Sequence, residues 1–102
     1  MSTKFAYKAE ITSGSQGATA STSAVVAAGA GTQQITVKNT HGSNTLYVGW
    51  DSTIDAADTT TYFIGGDLAA GATITLSDYN GAIWLDASGA STTYLIERRI
   101  AF

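Results

Sequence analysis

Along most of this 102-residue chain the apolar side chains recur at every second position, and that rhythm constrains the fold more than any other feature. In Thr32–Asn39, Ile35 and Val37 share one face while Gln34, Thr36 and Lys38 share the other. Leu46, Val48 and Trp50 alternate with Tyr47 and Gly49, which assigns Trp50 to the core. Ile74 pairs with Leu76, and Ile83 and Leu85 stand out of phase with Trp84. Near the end, Thr92, Tyr94, Ile96 and Arg98 oppose Thr93, Leu95, Glu97 and Arg99. A period of two is that of a β-strand with one buried face, since successive side chains point to opposite sides of a sheet.

Helical alternatives are poor. The alanine-rich run Ala20–Gly31 is interrupted by Gly29 and Gly31 and carries the β-branched Thr22, Val25 and Val26, so Ser23–Ala27 reads as a short strand. Polar turn clusters separate the alternating runs, among them Asn39–Asn44 and Ala87–Ser91. Asn80-Gly81 has the composition of a two-residue type I′ turn, which predicts a hairpin joining Thr73–Leu76 to Ile83–Asp86. The expected fold is therefore all-β: a single antiparallel β-sandwich of jelly-roll type, with seven to eight short strands over residues 1–102. Two segments fall outside this scheme. Thr12–Ser23 is of low complexity and reads as a mobile loop, making residues 1–23 a candidate N-terminal arm; Asp51–Phe63 has room for one helical turn at Ile54–Ala57.

Composition narrows the chemistry. Five Lys and Arg against eight Asp and Glu leave a net charge of −3, which excludes the clustered cations that a nucleic-acid backbone demands. With no cysteine there is no disulfide and no thiolate chemistry. No apolar run reaches the roughly 20 residues of a membrane-spanning helix. The N-terminal residues alternate like a strand and lack the apolar core of a signal peptide. Charged residues form 13% of the chain, half the usual fraction of about 25%, and 26 residues are Ser or Thr. A surface of that kind is easily desolvated and suits lasting contact with other subunits. The absence of proline leaves edge strands without one common protection, which points the same way.

The candidate catalytic patterns fail on spacing. His41 is the one histidine, it lies in a turn cluster, and no nucleophile elbow accompanies it. Asp51, Asp55 and Asp58 are oxygen ligands at close spacing but lack the calcium-loop pattern. Phe63–Gly71 is rich in glycine without the Lys-Ser/Thr that ends a phosphate loop. The reading is of a protein that is not an enzyme and has no cofactor or metal. The aromatics are better candidates, as contact residues: Trp84 and Tyr79, together with Phe5, Tyr7 and Phe102 near the termini, where an exposed ring is stable only if something covers it.

The chain from Val37 to Glu97 also resembles a loose family of small structural proteins of tailed bacteriophages. The rhythm begins with "VKNTHGSNTLYVGWDST", continues with "YFIGGDLAAGATITL" and closes with "GAIWLDASGASTTYLIE". The resemblance implies a small β-sandwich on the outside of a virion, assembled in the host cytoplasm. The expected role is a capsid decoration (cement) protein bound to the major capsid protein or other virion proteins, as a homo-oligomer such as a trimer. The alternatives are an accessory protein of the neck or tail, or a carbohydrate-binding host-adhesion module in which Trp84 and Tyr79 stack on sugar. The family brings no catalytic residues, and its pattern does not include residues 4–23.

Overall fold

A computed structural model describes the backbone of residues 7–29 and 32–101, with side chains for 9–29 and 34–100. The described residues contain no helix and form seven strands. These are β1 (Tyr7–Gln16), β2 (Thr32–Asn39), β3 (Leu46–Gly49), β4 (Asp67–Leu68), β5 (Thr73–Ser77), β6 (Trp84–Ala87) and β7 (Thr92–Ala101). Two antiparallel sheets result, one ordered β1-β7-β2-β5 and the other β4-β3-β6, packed as a small β-sandwich.

The alternating pattern explains the inner faces. Ile35 and Val37 of β2 and Ile96 of β7 are fully buried, as are Leu46 and Val48 of β3 and Leu85 of β6. Together with Val26, Leu68 and Ile83 they make one apolar cluster between the sheets. Burying an aliphatic side chain of this size contributes about 1.5–3 kcal/mol before the entropy of ordering it is subtracted. The opposite face of the larger sheet is hydroxyl-rich: Thr36 and Thr75 are cross-strand partners whose side-chain oxygens lie 3.1 Å apart.

Three expectations are corrected. Thr12–Gln16 is not loop but the second half of β1, in register with Thr92–Ile96 of β7. Antiparallel pairing supplies the backbone bonds that its Ser- and Gly-rich composition gave no hint of. Residues 17–29 then run back along the free edge of β6. There the Ser21 amide donates to the Leu85 carbonyl at 2.8 Å and the Val25 amide to Ile83 at 2.8 Å. The expected strand at Ser23–Ala27 reduces to one bridge, between Val26 and Ile83. The chain thus covers one exposed sheet edge with its own backbone, which lessens the need for proline there.

The Asn80-Gly81 hairpin does not form. β5 pairs with β2 and β6 with β3, so the connection crosses from one sheet to the other. Neither Asn80 nor Gly81 has the positive φ that a type I′ turn needs; the left-handed residue is Asp78, at φ 53°. The Tyr79 hydroxyl donates to the Ala82 carbonyl at 2.6 Å and its ring packs over Gly81, holding the crossover in place of a hairpin.

Candidate functional site

The segment between β3 and β4, residues 50–66, builds the most distinctive surface of the molecule. Its frame consists of short polar turns. The Asp51 carboxylate accepts bonds from the Thr53 amide and hydroxyl, and Asp58 accepts the same pair from Thr60, at 3.0 and 2.7 Å. Asp55 accepts from the Ala57 amide at 2.9 Å, and the Thr61 hydroxyl closes the loop by donating to the Asp58 carbonyl at 2.7 Å. These turns replace the expected helical turn at Ile54–Ala57, because Asp and Thr side chains satisfy the backbone groups that a helix would have used. Hydrogen bonding to the ionised form holds the Asp51 carboxyl below the ordinary carboxylate range, mainly through the Thr53 hydroxyl. The Asp58 carboxyl is held low in the same way, chiefly by the Thr60 amide.

The loop folds over the outer face of the smaller sheet and is fixed there at two points. Ile54 is almost fully buried and approaches Gly49 so closely that a Cβ at Gly49 would lie 2.6 Å from the Thr61 carbonyl oxygen and 2.8 Å from Ile54 Cδ1. Only glycine fits there. The second anchor is Asp86, a buried carboxylate on β6 that accepts from the Ala56 amide at 2.9 Å and from the Ala87 amide at 2.8 Å. The covering loop explains why Leu85, Asp86 and Ala87 are all buried although they alternate sides.

On this frame sits an aromatic ledge. Trp50 and Phe63 meet edge to face with ring centroids 5.4 Å apart, and Phe63 meets Tyr79 at 5.5 Å. Tyr47 and Tyr62 form a tilted pair at 5.1 Å. Such pairs add about 0.5–1.5 kcal/mol each beyond area burial. Beyond the rings Ile64 projects fully into solvent, on a turn completed by Gly65 at φ +78°. Trp50, Tyr62, Phe63, Ile64 and Leu76, with the hydroxyl residues Thr59 and Thr60, line a shallow depression of about 620 Å³. The Tyr62 hydroxyl is pushed above its usual range, first by burial and then by the charge of Asp67, with smaller effects from Tyr47 and Asp58. Burial raises Tyr79 as well.

The assignment of Trp50 to the core is therefore corrected. Strand β3 ends at Gly49 and the chain turns away, so the alternation stops one residue early and Trp50 is 42% exposed. Among the expected contact residues, Tyr79 is half-buried and belongs to the aromatic ledge. Trp84 is also half-buried, out of phase with Ile83 and Leu85 as its spacing implied, and lies opposite Gly49 in the sheet. Among the described residues the ring pairs are Tyr47–Tyr62, Trp50–Phe63 and Phe63–Tyr79, and Trp84 is in none of them. Phe5 and Phe102 lie outside the described residues, and of Tyr7 only the backbone, paired with Ala101, is described. Sequence reasoning missed Tyr62, Phe63 and Ile64. Their signal is the apolar triplet immediately before Gly65-Gly66, where a turn must expose part of it.

His41 has a structural task. Its Nδ1 accepts bonds from the Ser43 and Asn44 amides at 3.1 and 2.9 Å, shaping the connection from β2 to β3. Among the described residues no three His, Cys, Asp or Glu side chains gather as metal ligands. In comparisons with known proteins, no family, no curated protein and no solved structure matches this chain. The resemblance to phage structural proteins rests on the residues from Val37 to Glu97 alone.

Proposed function

We propose that this chain is a structural virion protein of a tailed phage: a decoration, or cement, protein that adheres to the assembled capsid shell and stabilises it. The observation that carries this reading is the solvent-projecting Ile64, displayed beside Trp50 and Phe63 on a loop that Asp86, Ile54 and the Asp–Thr turns hold in one conformation. An apolar group presented on a stiff frame loses little entropy on docking, which is how a contact surface gains affinity. The titratable groups of the loop are engaged in turns, consistent with a binder more than with a catalyst. Binding the assembled shell but not its separate subunits would favour the shell by mass action, and many copies on a symmetric lattice would multiply a modest contact.

Electron microscopy of the native phage particle tests this directly. The expected result is density for this chain on the outer capsid surface in many copies; a particle whose capsid, neck and tail all lack the chain would reject the proposal. The depression lined by Trp50, Tyr62, Thr59 and Thr60 also favours a second reading, a host-glycan contact, because it sets aromatic faces beside hydroxyl groups. Tryptophan fluorescence titrated with host polysaccharide separates the two, since a cement protein gives no response.

A further inference from the structure

The ledge carries a charge asymmetry that specifies its partner. Of the eight acidic residues, Asp51, Asp55, Asp58, Asp67 and Asp78 all belong to the segments that build or flank it. Asp51 follows Trp50, Asp58 binds Thr60 in the lining, and Asp67 pairs with Tyr47 across the sheet and acts on Tyr62. Asp78 lies between Leu76 and Tyr79, with its backbone in the left-handed region. The remaining residues with described side chains balance: Lys38, Arg98 and Arg99 against Glu10, Asp86 and Glu97. Arg98 and Arg99 are moreover paired with Glu10 and Glu97. Asp51, Asp58 and Asp67 thus set negative charge beside one apolar ledge.

From this rim, and resting on the reading of the ledge as the docking surface, we infer that the ledge takes a cationic, apolar segment of a different protein, in which aliphatic side chains are interleaved with Lys or Arg. The aliphatic groups cover Ile64, Trp50 and Phe63, and the cations meet the surrounding aspartates. Charge complementarity also argues against a second copy as the occupant. Two ledges face to face would bring Asp51, Asp58 and Asp67 of each copy together, and the arginines elsewhere already have acidic partners.

The test uses the whole chain and two short synthetic peptides, one alternating leucine with lysine and one alternating leucine with glutamate. Tryptophan fluorescence follows the titration, with the Trp50→Phe variant identifying the part of the signal that comes from Trp50. The expected result is a saturable response to the lysine peptide alone, weakening by about fivefold as salt rises from ~50 to ~300 mM and the Debye length shortens. Ile64→Asp, at a side chain with no native contacts to lose, should abolish that response although it adds another negative charge. Attraction through charge alone would instead make Ile64→Asp bind more tightly, and that outcome overturns the inference. So does equal binding of the glutamate peptide, or no response to the lysine peptide. Sedimentation of the chain by itself covers the remaining occupant: self-association lost in Ile64→Asp would mean that a second copy fills the ledge. None of these readouts uses the virion. A chain found on the capsid whose ledge ignores the lysine peptide would sink this inference and leave the proposed function standing.

Discussion

The side-chain amide of Asn39 donates to the Leu68 carbonyl at 2.8 Å, joining β2 of the larger sheet to β4 of the smaller one through the interior. The second amide hydrogen goes to the Asn44 carbonyl at 2.7 Å, and the oxygen accepts the His41 amide at 2.9 Å. Asn39 is fully buried with its side-chain hydrogen-bonding groups used. Asn44 extends the network by donating to the Thr92 hydroxyl at 3.1 Å, and Thr92 donates to the Gly89 carbonyl at 2.9 Å. One end of the sandwich is closed by this polar plug instead of by apolar packing.

Asn39→Ala should therefore be among the costliest substitutions in the chain. It removes three hydrogen bonds at once, those to the Leu68 and Asn44 carbonyls and from the His41 amide, and a loss of about 3 kcal/mol is expected. Urea unfolding should show a lower midpoint with an unchanged slope. A change under ~0.5 kcal/mol would mean that water replaces the side chain and that the plug is dispensable.

Gly49→Ala should dislodge the 50–66 loop. The new methyl would meet the Thr61 carbonyl at 2.6 Å, and since this is backbone the loop must shift as a unit. Overpacking of this kind costs about 1–3 kcal/mol. The shift should appear as altered Trp50 fluorescence before global unfolding, because Trp50 packs on Phe63 of the same loop.

Acid should loosen the loop turns at a defined point. The Asp51 and Asp58 carboxyls titrate below their ordinary value of 3.8 in the folded chain, so their turns contribute stability that is present above that value and lost as pH falls through the folded values. The Thr53 and Thr60 amide resonances should report midpoints under 3.8. Thr60→Ala removes one of the two bonds and should raise the Asp58 midpoint; no change would mean that the hydroxyl contributes nothing.

At the other extreme, Tyr79 should weaken the fold in alkali. Burial raises its hydroxyl above the ordinary 10.0, so the neutral form is favoured in the folded state. The associated stability is fully present below 10.0 and is lost as pH rises through the folded value. Ultraviolet titration of the phenolates should show a late component from Tyr62 and Tyr79 that shrinks, leaving the Tyr62 share, in Tyr79→Phe. That variant also loses the bond to the Ala82 carbonyl and should cost about 1 kcal/mol.

Legibility in the sequence followed the length of each alternating run. Ile35 and Val37 share the core face, as their alternation implies, because β2 continues past both residues; in β7 the alternation separates Thr92 and Ile96 from Leu95 without saying which set is buried. Trp50 was misplaced because β3 stops at Gly49, and a period says nothing about where a strand ends. Thr12–Gln16 looked like loop since its residues have weak strand preference; they are held by partners in β7, some eighty positions away in the chain. Asn39 stood on the core face of β2, yet an asparagine closing a strand reads as a turn residue, and only the arrival of Leu68 makes it a tie between sheets.

The sequence by itself determined that this chain is all-β and which side chains of its longer strands share a face, because both follow from the two-residue repeat of side-chain direction. Tertiary structure decided the pairing: Asn80-Gly81 became a crossover and not a hairpin, the edge of β6 was covered from within, and the 50–66 loop settled on the outer sheet face. These outcomes depend on contacts between distant residues, where the fit of Ile54 against Gly49 and the reach of Asp86 to Ala56 outweigh local turn preference. The same long-range fit brings Trp50, Phe63 and Tyr79 into one ledge beside Ile64.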